Sequence, residues 1–125
     1  MKVILIGWLL VLLTACTPQS VVLLESDAYE QLLQDEEVFV LNVHTPYEGE
    51  LEDTDAIIED WGHLALHQDQ LPEDKNTPIA LYCRSGRMSE SAGQQLLELG
   101  YTKVYDLKGG MIAWKESGRE VIHKI

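Results

Sequence analysis

Basic residues are scarce in this chain: nine Lys and Arg stand against 21 Asp and Glu, for a formal charge of −12. That balance argues against nucleic-acid binding and against adhesion to anionic lipid through a basic patch. Cysteine is scarcer still. There are two, Cys16 and Cys83, and no Cys-x-x-Cys pair, so thioredoxin-type redox chemistry and zinc clusters are not indicated. No apolar run reaches the ~20 residues of a membrane-spanning helix; the longest, Val3–Leu13, is about half that length. What remains is a chain of 125 residues with an ordinary apolar content of 46%, enough for one domain with a real core and not for two.

The N-terminus reads as an address. Met1-Lys2 supplies a minimal positive start, and the run from Val3 to Leu13 fits the apolar region of a secretory signal. A buried core helix fits poorly, because the run has no polar face. Leu13-Thr14-Ala15-Cys16 resembles the lipobox of bacterial lipoproteins. That resemblance implies a signal peptide over residues 1–15, acylation of Cys16 and a lipidated tether over 16–20. The folded domain would then occupy 21–125, in the cell envelope, held to a membrane by its lipid and facing away from the cytoplasm. Acylation consumes the Cys16 thiol, which argues against a Cys16–Cys83 disulfide and leaves Cys83 as the only free thiol.

The rest of the chain alternates between two kinds of segment. Val21–Leu24, Val38–Val43, Ile79–Tyr82 and Lys103–Asp106 are short apolar runs with strand character. Between them, a helix is expected from Ser26 or Asp27 to about Gln34, with Asp27 and Glu30 at capping-box spacing. A second is expected over Ser89–Leu99, with Met88, Ala92, Leu96 and Leu99 on one face and Gly100 just past its end. A third spans Met111–Ser117, stopped by Gly118. Residues 44–72 read as irregular and acidic, with a short helix around Gly62–Gln70. Strands alternating with helices imply an α/β domain with a parallel sheet covered on both faces, whose ligands lie beyond the carboxyl ends of the strands.

Cys83 stands at such an end, in Ile79-Ala80-Leu81-Tyr82-Cys83-Arg84-Ser85-Gly86-Arg87-Met88-Ser89. A thiol between a strand end and a helix start faces unpaired backbone N–H groups and the positive end of the helix dipole, both of which favour an anion. Successive N–H groups in a tight loop can form a concave nest. Gly86 opens backbone conformations closed to other residues, Arg84 and Arg87 add cations, and Ser89 is expected to cap the following helix. Together these favour the thiolate. An inert buried cysteine is the alternative, and the polar, cationic neighbours weigh against it.

Cys83-Arg84-Ser85-Gly86-Arg87-Met88-Ser89 resembles the Cys-x-x-Gly-x-x-Ser loop of the rhodanese family. Leu41-Asn42-Val43-His44-Thr45-Pro46-Tyr47-Glu48 is similar to that family's strand and turn before the active site. Leu99-Gly100-Tyr101-Thr102-Lys103-Val104 and Leu107-Lys108-Gly109-Gly110-Met111-Ile112-Ala113-Trp114 are similar to its closing segment. The resemblance covers about residues 20–121 and is nearest to small envelope rhodanese-like lipoproteins. It implies a rhodanese-like three-layer fold, with a five-stranded parallel sheet flanked by helices. It also implies sulfur transfer without a cofactor or metal. A sulfane sulfur would pass from a small anionic donor such as thiosulfate to a thiol acceptor through a Cys83 persulfide, with Arg84, Ser85, Gly86, Arg87, Met88 and Ser89 around the substrate.

Two stretches depart from the family pattern. Asn42-Val43-His44 replaces the usual Asp-Val-Arg, and Gly49–Asp55 replaces the usual Gly-His-Ile-Pro-Gly-Ala. His44 and Glu48 are candidates to pair near the site, with a plain surface turn as the alternative. His63 and His67 share helical spacing but have no third ligand, and Trp61 and Trp114 read as packing. A phosphatase of the related fold would need an arginine where Ser89 stands. A persulfide carrier, a sensor or a protein-binding module with little turnover stays open.

Overall fold

Strand β4 (Ile79–Tyr82) is buried along its whole length, as a continuous apolar run predicts for the middle of a sheet covered on both faces. In the computed structural model, which describes residues 19–125 and otherwise only Val3 and Gly7, it is the central strand of five. The order is β1 (Val22–Leu24), β5 (Val104–Leu107), β4, β2 (Phe39–Asn42) and β3 (Ala56–Ile57). Every pairing is parallel. Three α-helices cover the sheet: α1 (Ser26–Leu32), α2 (Arg87–Glu98) and α3 (Gly110–Glu116). The expected acylation of Cys16 and the signal segment 1–15, Val3 and Gly7 apart, lie outside the described residues. No described helix is long and apolar enough to cross a membrane.

Side-chain alternation along the strands builds two apolar layers. Leu41, Val43, Ile79, Leu81 and Val104 pack with Ala92 and Leu96 of α2. Val40, Ala80, Tyr82 and Leu107 pack on the other face with Tyr29 of α1 and with Met111 and Trp114 of α3. Tyr29 and Trp114 meet edge to face, with centroids 6.1 Å apart. Because β4 lies between β5 and β2, the strand ends at Cys83, Lys108 and Val43 gather at the carboxyl edge.

Several expectations are corrected. The irregular stretch 44–72 contains β3, too short at two residues to read from its composition; Leu41 and Asn42 pair it to the sheet. The short helix is a 3₁₀ segment, Leu64–Gln70. The expected capping box does not form: Glu25 precedes α1 without a side-chain cap. Asp27 and Glu30 instead hold Arg119, at 2.7 and 2.8 Å, tying α1 to the chain after α3. Helix α2 begins at Arg87, ahead of Ser89, with Gly86 at its cap position.

Two buried polar side chains of the sheet, Asn42 and Tyr82, are paired. Asn42 donates to the Gly49 carbonyl at 3.1 Å and accepts from the His44 N–H at 2.9 Å, which fixes the turn after β2. The Tyr82 hydroxyl accepts the Leu51 N–H at 3.0 Å and lies 2.6 Å from the Thr54 hydroxyl. Tyr82→Phe leaves the buried Leu51 N–H without that partner and is expected to cost about 1–3 kcal/mol. The measurement is a lowered urea midpoint at unchanged slope.

Candidate active site

The chain leaves β4 at Cys83 and must turn at once into α2. Gly86 makes the turn at φ +100°, in the left-handed region. The turn aims the Gly86 N–H at the Cys83 sulfur, 3.0 Å away. The thiol lies 3.4 Å from the Ser89 hydroxyl and donates to it, and that hydroxyl donates to the Gly86 carbonyl at 3.3 Å. Ser89 is therefore a fully buried residue of the first turn of α2 that touches the sulfur, rather than the helix cap the sequence suggests.

Helix α3 holds the loop from the opposite side. Its Met111 N–H donates to the Cys83 carbonyl at 2.9 Å, and its Ile112 N–H to the Arg84 carbonyl at 3.0 Å. These are orphan donors of a helix start, satisfied by the loop. A Cβ at Gly110 would lie 2.5 Å from both carbonyl oxygens. Gly110 is thus the price of the close approach between α3 and the loop.

The six flanking residues do not share one environment. Arg84, Ser85 and Arg87 are exposed and Gly86 is partly exposed. Met88 packs against the α2-side core. Cys83 itself is 1% exposed and belongs to that same core cluster, so the sulfur is polar on one side and apolar on the other. Arg84 is shared with Glu48, whose carboxylate lies 3.4 Å from the Arg84 Nε and 2.6 Å from the His44 Nε2. The sequence left the pairing of His44 and Glu48 open; it forms, beside the loop. Arg87 has no ion pair among the described residues. Two clefts flank the loop: one of about 500 Å³ lined by Ser85, Gly86, Arg87, Asp106 and Lys108, and one of about 310 Å³ lined by Glu48, Arg84, Lys115 and His123. His63 and His67 lie elsewhere, both on the Asp60 carboxylate at 2.8 and 2.9 Å.

Sequence reasoning missed Asp106. It pairs with Leu81 in the sheet and is 1% exposed. Its Oδ1 has no hydrogen-bond partner. Burial, only partly offset by the neighbouring Ser89 hydroxyl, pushes its pKa up to about 7. The one available signal was a carboxylate inside an otherwise apolar strand, three residues before Gly109.

A family model for the rhodanese-like domain matches residues 27–117. A sulfurtransferase of Allochromatium vinosum is 31% identical over 105 residues, spanning 79% of this chain and 92% of that protein. A thiosulfate sulfurtransferase of Coxiella burnetii is 45% identical over 42 residues, 34% of this chain and 39% of its own length. The crystal structure of a rhodanese-related protein from Thermoplasma volcanium superposes with a TM-score of 0.67 at 25% identity. The match spans 81% of this chain and 97% of that one.

The state of Asp106 sets a pH dependence. Its pKa rises from 3.8 to about 7 on folding, so the folded protein holds a proton that the unfolded chain has released across that window. Stability therefore falls as pH rises through it. Exposed Glu30 and Asp60, both lowered by their partners Arg119 and His63, act in the opposite sense, at more acid pH. Asp106→Asn is expected to flatten the fall, read as urea midpoints between pH 4 and pH 7; an unchanged slope would place the proton on another group.

Proposed function

The chain belongs to the rhodanese-like family, and we propose that it acts as a sulfurtransferase in which Cys83 carries a sulfane sulfur as a persulfide. The observation that carries this reading is the Gly86 N–H donated to the Cys83 sulfur at the carboxyl edge of β4, 3.0 Å away. A donor held there supports an anionic sulfur, as thiolate or as persulfide. Exposed Arg84 and Arg87 at the rim favour a small anionic donor such as thiosulfate.

The reaction runs in two displacements. The Cys83 thiolate attacks the outer sulfur of thiosulfate; a new S–S bond forms, the old one breaks, and sulfite leaves with its electron pair. An acceptor thiolate then attacks the outer sulfur of the persulfide and Cys83 leaves as thiolate. A second reading, a carrier that holds persulfide with slow turnover, is favoured by the 1% exposure of Cys83. A stable gain of one sulfur on Cys83, seen by mass spectrometry beside slow turnover with every donor, would mark the carrier.

We also propose that Cys16 is acylated and fastens the domain to an envelope membrane, facing away from the cytoplasm. The support is the Leu13-Thr14-Ala15-Cys16 pattern behind an apolar run.

Two outcomes are expected. Cys83→Ser abolishes sulfite release from thiosulfate in the presence of a thiol acceptor, and equal rates in the two proteins would sink the proposal. Cells expressing the full chain incorporate labelled fatty acid, and Cys16→Ser loses the label.

A further inference from the structure

The smaller of the two clefts beside the loop is lined by Glu48, Arg84, Met111, Ile112, Lys115 and His123. The first five come from the turn after β2, the loop and α3. His123 lies beyond residue 117, where the family match ends. The cleft adjoins the reactive cysteine through the main chain: Arg84 follows Cys83, and the Met111 N–H holds the Cys83 carbonyl at 2.9 Å.

The lining has an apolar part and a cationic part. Met111 and Ile112 stand four and three residues before Lys115, so α3 presents all three on one face. Met111 is buried and Ile112 half-buried, while Lys115 is exposed in the last turn of the helix. Neither Lys115 nor His123 has an ion pair among the described residues. His123 is held from both sides. Ile122 bridges to Glu50, and the Lys124 N–H donates to the Tyr47 hydroxyl at 3.1 Å. The His123 ring itself meets Tyr47 edge to face, with centroids 6.2 Å apart. An imidazole offers an N–H donor in either protonation state. Glu48 is already engaged, by His44 at 2.6 Å and by Arg84 at 3.4 Å. Glu116, next to Lys115, lines a separate depression with Glu25 and Asp27. In a chain of net charge −12, this cleft gathers cations.

We propose that the cleft is the acceptor subsite, that it takes a low-molecular-weight thiol bearing a carboxylate, and that Lys115 and His123 select that carboxylate. The assignment of an acceptor rests on the sulfurtransferase reading. The methylenes of such a thiol lie on Met111 and Ile112, and its carboxylate meets the Lys115 ammonium and the His123 N–H. A compact inorganic dianion such as thiosulfate makes no use of the apolar part. At about 310 Å³ the cleft is at the small end of ligand sites, with room for a short thiol and not for a folded partner.

The transfer step balances. The acceptor thiolate forms an S–S bond with the outer sulfur of the Cys83 persulfide. The bond from that sulfur to Cys83 breaks, its electron pair stays on Cys83 as thiolate, and the acceptor leaves as a persulfide with its carboxylate unchanged.

Two thiols of matched chain length test the assignment: 3-mercaptopropionate, which carries a carboxylate, and 2-mercaptoethanol, which does not. The protein is the full chain with Cys16→Ser, so that Cys83 is its only thiol, and thiosulfate is the donor. Lys115→Gln and His123→Gln alter exposed side chains and are each expected to lower kcat/KM for 3-mercaptopropionate by about two- to fivefold, leaving 2-mercaptoethanol unchanged. Lys103→Gln removes the same charge at the amino end of β5, on the far edge of the sheet, and is expected to leave both thiols unchanged. An equal change for the two thiols, or a Lys103→Gln effect as large as that of Lys115→Gln, would overturn the proposal. Alkylation of Cys83 by iodoacetate and by iodoacetamide, reagents of one shape that differ by one charge, needs no sulfur transfer. Lys115→Gln is expected to slow iodoacetate relative to iodoacetamide. If the parent protein turns over no thiol, the sulfurtransferase reading fails and the acceptor role with it. If thiols are turned over but neither the thiol preference nor the reagent ratio responds to Lys115→Gln, the subsite alone is refuted.

Discussion

Two backbone hydrogen bonds hold the site together: those from the first turn of α3 to the carbonyls of Cys83 and Arg84. They connect segments almost thirty residues apart in sequence (Cys83 and Met111), and they join the two layers of the domain. The loop belongs to the α2 side, since Cys83 sits in that core cluster, whereas Met111 and Trp114 belong to the other. With both carbonyls engaged on one side, the peptide planes of the turn are fixed, and the Gly86 N–H is left to meet the sulfur. Gly110 has no room for a side chain against this contact, so the geometry at sulfur is set as much by the closing segment as by the loop.

That dependence explains what could be read from the sequence. The four longer strands and three helices follow from apolar runs, helical spacing and glycines, and lie within a few residues of the expected positions. The loop motif and the closing Gly-Gly were legible as separate pieces. Their contact was not, because it is made by main-chain atoms. Ser89 was misread for a related reason. Its type and place suit a cap, but Gly86 takes the cap position by its left-handed conformation, and this moves Ser89 one turn inward, onto the sulfur. Strand β3 is too short to leave a pattern and exists because β2 offers it an edge.

Charge is distributed with similar economy. In a chain of net charge −12, the rim of the loop keeps Arg84 and Arg87 exposed, while a carboxylate is buried beneath it at Asp106. Asp106 could not be found from composition, since one acidic residue in an acidic protein carries no signal. Beyond its place in an apolar strand, its burial without a partner for Oδ1 sets it apart from the others. The same holds for His44 and Glu48, where Asn42 turns the chain back so that the two side chains meet.

The chain after α3 deserves to be read as part of the fold. The family match stops at residue 117, yet Arg119 reaches back to α1 and the Glu120 carbonyl accepts the Trp114 indole N–H at 3.1 Å. Ile122 pairs with Glu50 in an isolated antiparallel bridge, and Lys124 donates to the Glu52 carbonyl at 2.8 Å. These residues form a clasp across the segment from Tyr47 to Glu52, which runs from beside Glu48 and Arg84 into the Gly49–Asp55 stretch that departs from the family pattern. The boundary of sequence similarity and the boundary of the mechanical unit therefore differ. What looks like a trailing peptide is the buttress of one wall of the site, and it gives this protein a local means of shaping that wall without altering the loop itself.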